Sequence, residues 1–127
     1  MAFGTLKADT LTHSTAGSLA TNYVVNGSAK AWITFNGTGT IATRNSFGVS
    51  SISDNSTGNY TVNFSNAFSA ADYVQQTSGD AASSAHFGTA SITETYTTSA
   101  TRGRFFDAAG SGVDTAFANI TTHGDLA

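Results

Sequence analysis

The chain has 127 residues, of which only 10% are charged, and its formal net charge at pH 7 is −3. This length fits one domain with its own core, while five scattered basic residues argue against a nucleic-acid surface. The absence of cysteine excludes a disulfide framework and thiolate metal sites, and no apolar run is long enough to predict membrane insertion.

The first 28 residues are predicted to form an extended N-terminal arm. They are small and polar, with isolated leucines at Leu6, Leu11 and Leu19, and neither a helical nor a strand period persists. Such a segment has too little apolar surface to order itself in isolation. Two interpretations therefore stay open. The segment is either a partly ordered leader or an arm that docks on a neighbouring subunit or a larger particle. The first residues also lack the basic and then apolar order of a signal peptide, so we expect any export to avoid classical secretion.

The segment 29–64 carries the clearest strand and turn signals. Residues 30–35 alternate between apolar and polar positions, and Trp32 falls on the face opposite its apolar neighbours. The dipeptide Asn36-Gly37 predicts a tight hairpin turn, because both residue types tolerate positive φ. A strand at 40–44 would complete this hairpin.

Short strand candidates continue towards the C terminus, with turn signals between them. They are predicted at 47–52, 60–64, 73–77, 85–98, 102–106 and 113–121. This spacing is typical of an all-β fold. We therefore predict an antiparallel, jelly-roll-like β-sandwich over residues 29–127, preceded by the extended arm of residues 1–28.

Aromatic residues are spread through the strand candidates at roughly one each, and we predict that they form the core between two sheets. The alternative is a row of exposed stacking platforms for sugar rings. Trp32 is the exception, because it shares a face with polar residues and is either exposed or packed in a subunit interface. The predicted core set is Phe35, Phe47, Tyr60, Phe64, Tyr73, Phe87, Tyr96, Phe105 and Phe117.

No catalytic or metal-binding constellation is evident in the sequence. The three histidines have no second His or carboxylate at metal-ligand spacing, and the eight acidic residues are scattered singly. We therefore predict no enzymatic activity, no metal site and no cofactor. Arg102 and Arg104 share a strand face, and with Glu94 they make an ion pair, an anion site or, as we favour here, a solvated face.

Residues 29–64 resemble a module of tailed-bacteriophage fibre and appendage proteins. The likeness rests on KAWITFNGTGT at 30–40, RNSFGVSSI at 44–52, the turn at 54–58 and YTVNF at 60–64, and the leader GTLKADTLT at 4–12 is also similar. It covers about half of the chain, and beyond residue 67 only composition and strand rhythm are alike. No catalytic residues are carried over by it.

The resemblance implies a virion structural protein, assembled in the cytoplasm of a bacterial host. Such proteins are usually homotrimers that attach through their N-terminal portion and display a C-terminal β-domain to the host. The short chain implies a stubby tail or head fibre, with itself, other virion proteins and a host-surface glycan as partners. For the oligomer interface we predict Trp32, Leu6, Leu11, Leu19 and Tyr23.

A second hypothesis comes from a different functional class. The chain would be a carbohydrate-binding β-sandwich, either free or attached to a virion. A depolymerase ranks behind both hypotheses, because the sequence offers no pair of carboxylates for hydrolysis. A measurement of the oligomeric state tests the trimer that the fibre hypothesis implies. A glycan array tests the carbohydrate-binding hypothesis.

Overall fold

The computed structural model describes residues 7–80, 87–90 and 96–127, and for His13 and residues 87–90 it describes the backbone alone. The described residues form ten strands and one short helix, so the prediction of an all-β fold is confirmed. The helix α1 spans Thr21–Gly27. The strands are β1 (Thr10–His13), β2 (Gly17–Ala20), β3 (Ala31–Asn36), β4 (Ala42–Phe47), β5 (Val49–Ser56), β6 (Asn59–Phe64), β7 (Val74–Gly79), β8 (Phe87–Ala90), β9 (Ala100–Phe106) and β10 (Ala118–His123).

Eight strands form two four-stranded antiparallel sheets. The first sheet has the order β4-β3-β10-β7 and the second sheet has the order β5-β6-β9-β8. In the central strands β3, β10, β6 and β9, buried residues alternate with half-buried ones. Each sheet therefore has one buried face and one outer face, as period-two strands require.

The buried faces of the two sheets pack against each other. Phe35 of β3 lies edge-on to Tyr60 of β6 and to Phe105 of β9, with ring centroids 4.9 and 6.2 Å apart. Edge-to-face geometry is favourable for aromatic rings, beyond the area that they bury. A second aromatic group extends this core and consists of Phe64, Phe68, Tyr73 and Tyr96.

The Asn36-Gly37 dipeptide does not form the predicted tight turn. Five residues separate β3 from β4, and among them Gly39 alone has a positive φ, of 63°. Gly37 is required for another reason: its N–H donates to the carbonyl of Thr115 at 2.8 Å, and a Cβ there would collide with the hydroxyl of Tyr60. Close packing, and not turn conformation, selects glycine at this position.

Two members of the predicted aromatic core lie on the surface. Phe47 is 60% exposed and Phe117 is 47% exposed. Phe47 pairs directly with Trp32 across β3 and β4; because paired residues point to the same side of a sheet, Phe47 shares the outer face with Trp32. Phe68 is buried although the prediction omitted it, and the side chain of Phe87 lies outside the described residues.

The N-terminal segment, defined here as residues 7–28, has more local structure than the extended arm that was predicted. Strands β1 and β2 form a hairpin in which Leu11 pairs with Leu19. The hairpin is joined to α1 through Thr21, whose N–H donates to the carbonyl of Asp9 at 3.0 Å. The helix buries none of its residues, so the segment adds nothing to the core. The division of the chain at residue 28 stays a prediction.

Candidate interaction surfaces

The outer face of the first sheet has an aromatic end. Trp32 on β3 lies between Phe47 on β4 and Thr121 on β10, and Trp32 is half-buried while Phe47 is exposed. A depression of about 360 Å³ adjoins Phe47, and Lys30 and Leu126 line it as well. The sequence placed Trp32 on this face but missed Phe47, whose position follows only once the register of β4 is known.

Away from this end, the outer face carries a row of polar side chains, some of which bond to one another, and it also exposes Val74 of β7. The hydroxyl of Thr34 donates to Oδ1 of Asn119 at 2.8 Å, and Nδ2 of Asn119 donates to Oγ of Ser78 at 3.3 Å. Asn45 is placed opposite Thr34 on β4. This row therefore uses part of its hydrogen-bonding capacity within the sheet.

The N-terminal segment presents a group of exposed apolar side chains. Leu11 is 43% exposed, Leu19 46% and Tyr23 68%, and Val24 and Val25 of the same helix are also exposed. A groove of about 460 Å³ runs between the hairpin and the helix, with Leu11, Val24 and Val25 along it. We call these five residues the N-terminal patch.

The predicted interface residues are therefore brought together only in part. Leu11 and Leu19 form a direct cross-strand pair, and Tyr23 follows them in the chain on α1. Trp32 belongs instead to the first sheet, where its cross-strand neighbours are Phe47 and Thr121. Leu6 lies outside the described residues.

The outer face of the second sheet is polar and carries two arginines. Strand β9 buries Thr101, Gly103 and Phe105 and turns Arg102 and Arg104 to the other side. The guanidinium carbon of Arg104 lies 4.9 Å from the centroid of the Phe106 ring, a distance suited to a cation–π contact.

Neither of these guanidinium groups is paired within the described part of the chain. The Nε atoms of Arg102 and Arg104 are buried without a hydrogen-bond partner. Arg44 differs, since its Nη2 donates to the carbonyl of Ala116 at 3.1 Å and its guanidinium stacks on Phe117 at 4.0 Å. The structure therefore gives no support to an ion pair for Arg102 and Arg104 among the described residues, and Glu94 lies outside them.

A buried tyrosine joins three connections at one end of the sheets. The hydroxyl of Tyr60 donates to Oδ1 of Asp114 at 2.7 Å and lies 3.1 Å from the carbonyl oxygen of Gly37. The same carboxylate oxygen accepts the N–H of Gly58 at 2.7 Å. Burial, reinforced by the hydrogen bond to Asp114, holds the pKa of Tyr60 well above its usual range. Sequence reasoning missed Asp114, because it lies 54 residues from Tyr60 in the chain.

Comparison with known proteins does not indicate which of these surfaces is functional. The chain matches no protein-family model, no curated protein and no solved structure. Among the described residues, no group of three or more His, Cys, Asp or Glu side chains is placed to hold a metal ion. Across the same residues, no helix has the length and apolarity that crossing a membrane demands.

Proposed function

We propose that the protein is a structural subunit of a bacteriophage virion, a short tail or head fibre without enzymatic activity. It assembles as a homo-oligomer, attaches to the particle through its N-terminal segment and displays the β-domain (residues 29–127) for adhesion to the host surface. The observation that carries this proposal is the N-terminal patch, an apolar group that the fold of the chain leaves uncovered.

The N-terminal patch is suited to contact with another protein surface. Fully burying a Leu or Val side chain is worth roughly 1.5–3 kcal/mol relative to leaving it exposed, and the isolated chain leaves much of that stabilisation unused at Leu11 and Leu19. Contiguous exposed apolar groups commonly mark interaction sites. In a symmetric homo-oligomer the same patch is available on every copy, so one segment can order against its equivalents.

The pair of Trp32 and Phe47 supplies a second apolar contact for the same assembly. Large aromatic side chains are enriched at subunit interfaces and often dominate their energetics. Trp32 is not needed in the inter-sheet core, since Ile33 and Phe35 fill the buried face of β3. The resemblance of residues 29–64 to phage fibre modules is consistent with both contacts.

The finer description of the β-domain belongs to this proposal. We propose a two-sheet sandwich with a jelly-roll-like return of the chain, because β10 comes back to lie beside β3, the first strand of the domain. Three hairpins (β3-β4, β5-β6 and β8-β9) nevertheless keep consecutive strands within one sheet. Residues 1–28 would then form the docking element that precedes the sandwich.

Light scattering on wild-type protein and Trp32→Ala tests the assembly. We expect a homotrimer for the wild type and a weakened oligomer for Trp32→Ala, with the cooperative unfolding of the β-domain retained. Phe117→Ala is the matched control, since it removes another exposed aromatic ring, one that stacks on Arg44 and is not paired with Trp32. An unchanged trimer in Trp32→Ala would refute the role of this residue, and neighbouring genes unrelated to tails or capsids would contradict the virion assignment.

Carbohydrate binding is the second candidate function. The observation that favours it is the outer face of the second sheet, where Arg102 and Arg104 lie among Asn and Thr side chains. A glycan array with bacterial surface glycans separates the two candidates. Silence across the array would count against carbohydrate binding and would leave the assembly proposal standing.

A further inference from the structure

We propose that the outer face of the second sheet binds the carboxylate groups of an acidic polysaccharide through the side chains of Arg102 and Arg104. This inference rests on the proposed adhesive function for its biological setting, a carboxylated glycan of the host surface. The binding itself is a property of the folded chain. The juxtaposition that carries it is two guanidinium groups, without a hydrogen-bond partner among the described residues, beside a row of neutral amide and hydroxyl side chains.

The two arginines lie at alternate positions of an internal strand. Side chains two residues apart on a strand point to the same side and start roughly 6.5–7 Å from each other. Strand β9 is flanked by β6 and β8; Arg104 has a cross-strand partner on both, whereas the pairing described for Arg102 is with Thr61 of β6. Two guanidinium forks are thereby held side by side on a rigid support.

Among the described residues, no hydrogen-bond partner occupies the donors of these forks. A guanidinium has five N–H donors in a planar arrangement that matches a carboxylate, and neither Arg102 nor Arg104 spends one on a described residue. Because both Nε atoms are buried, the terminal Nη groups are the ones that meet a ligand. The partly desolvated charge also attracts an anion more strongly than a fully hydrated one would.

Charge on this face favours an anionic ligand. Arg102 and Arg104 are two of only five basic residues in a chain of net charge −3. Their partners on β6 are neutral: Asn59 stands opposite Arg104, and Thr61 opposite Arg102. Two cations whose β6 partners are neutral match a ligand with a few separate negative charges, whereas a nucleic acid calls for many phosphate contacts.

The neutral neighbours match the hydroxyl groups of a sugar. Asn63 donates to Oγ of Ser51 at 2.9 Å, and Asn55 donates to the hydroxyl of Thr61 at 2.8 Å, so amides and hydroxyls continue from β6 to β5. The Oδ1 atom of Asn59 is buried and has no hydrogen-bond partner among the described residues. This row lies directly beside the two arginines, and a saccharide chain crossing it can present carboxylates to the guanidinium groups and hydroxyls to the amides.

Isothermal titration calorimetry with oligogalacturonate tests the proposal. The matched ligand is the same oligomer after reduction of its carboxyl groups to alcohols. We expect wild-type protein to bind the acidic oligomer and the reduced oligomer at least about tenfold more weakly. Equal binding of both oligomers, or binding of neither, overturns the proposal, and so does equally tight binding of duplex DNA at the same salt concentration.

Arginine variants locate the site. Arg102→Gln combined with Arg104→Gln is expected to weaken oligogalacturonate binding at least about tenfold. Arg44→Gln is the control, because Arg44 lies on the first sheet and already donates to a carbonyl. Unchanged affinity in the double variant, or equal loss in Arg44→Gln, would place binding elsewhere. Circular dichroism and thermal unfolding establish whether each variant is folded. If the double variant does not fold, the two single variants are measured in its place.

The outcome is distinguishable from the fate of the assembly proposal. Light scattering is performed on the same samples, and the double variant is expected to keep the oligomeric state of the wild type. A monomer that binds oligogalacturonate through Arg102 and Arg104 would uphold this site and contradict the assembly. An assembled protein that fails to bind would overturn this site alone.

Discussion

The N-terminal segment leaves its apolar side chains exposed, whereas the β-domain buries most of its own in the core. In β3, the apolar side chains of Ala31, Ile33 and Phe35 all lie in the core, each at most 2% exposed. In the β1-β2 hairpin, Leu11 and Leu19 also pair across two strands, but each remains more than 40% exposed. The core of the β-domain therefore does not use the apolar residues of the N-terminal segment, and these residues are available for contact with other molecules.

The two outer faces of the β-domain show a related contrast. The first sheet exposes an aromatic pair, Trp32 and Phe47, and a polar row whose members bond to one another. The second sheet carries two half-buried arginines that have no hydrogen-bond partner among the described residues, and Arg104 also contacts the ring of Phe106. One face is suited to packing against protein, and the other to holding a charged ligand.

A core substitution should break the β-domain, whereas its counterpart in the N-terminal segment should not. Phe35→Ala removes a fully buried ring that contacts Tyr60 and Phe105, and we expect it to lower the free energy of unfolding by about 3–5 kcal/mol. Leu19→Ala should change it by less than about 0.5 kcal/mol. Urea denaturation at a concentration where the wild type is monomeric measures both, and equal effects would contradict the comparison.

Two glycines of the β-domain have similar positive φ values but different surroundings. Substituting each of them distinguishes the cost of backbone strain from the cost of a steric contact. Gly39 and Gly48 have φ values of 63° and 67°, but a Cβ on Gly39 meets no atom within 4 Å, whereas on Gly48 it collides with the carbonyl of Lys30. Gly39→Ala should cost about 1–2 kcal/mol from the left-handed conformation alone. We expect Gly48→Ala to cost more in thermal unfolding, and equal losses would show that the contact is relieved easily.

The buried tyrosine should make the β-domain sensitive to alkaline pH. The pKa of Tyr60 is raised on folding, so its stabilising contribution is complete below the unfolded pKa of about 10 and is lost as the pH rises further. Tyr60→Phe should cost about 1–2 kcal/mol at pH 7, because the hydrogen bond to Asp114 is lost. It should also reduce the alkaline loss of stability, and a part should remain because burial raises the pKa of Tyr73 as well. Denaturation at pH 7 and at pH 9–11 measures both effects.

The exposed Tyr23 provides the control for this measurement. Tyr23→Phe removes a hydroxyl from α1, whose residues are all outside the core. Its unfolding curve should follow that of the wild type at every pH. A flattened alkaline limb in Tyr23→Phe would mean that the pH dependence does not come from the buried tyrosine.

Local patterns in the sequence predicted the buried faces of several strands. The apolar face of β3 and the predicted aromatic core identified Phe35, Tyr60 and Phe64, all of which are buried. Such patterns work because each strand must present its own apolar side to the core, whatever its partners are. The same alternation placed Trp32 on the outer face, where the structure has it.

Properties that depend on residues far apart in the chain could not be predicted from the sequence. The last strand was predicted at 113–121 but begins at Ala118, because residues before it are used to anchor other connections. Asp114 bonds to Gly58 and Tyr60, and the hydroxyl of Thr115 donates to the carbonyl of Asp80 at 3.0 Å. Long-range contacts of this kind leave no local periodicity. That Arg102 and Arg104 lack a hydrogen-bond partner among the described residues could likewise not be predicted, since the sequence shows a shared face but not its neighbours.

The most direct test of the central claim is the mass of the assembly with and without the N-terminal patch. Multi-angle light scattering of the wild type should give three times the chain mass of 13.0 kDa. Leu11→Ser combined with Leu19→Ser should give a smaller species that unfolds with the same cooperativity as the wild-type β-domain. A wild-type protein that is monomeric at every concentration, or a double variant that remains a trimer, would contradict the account.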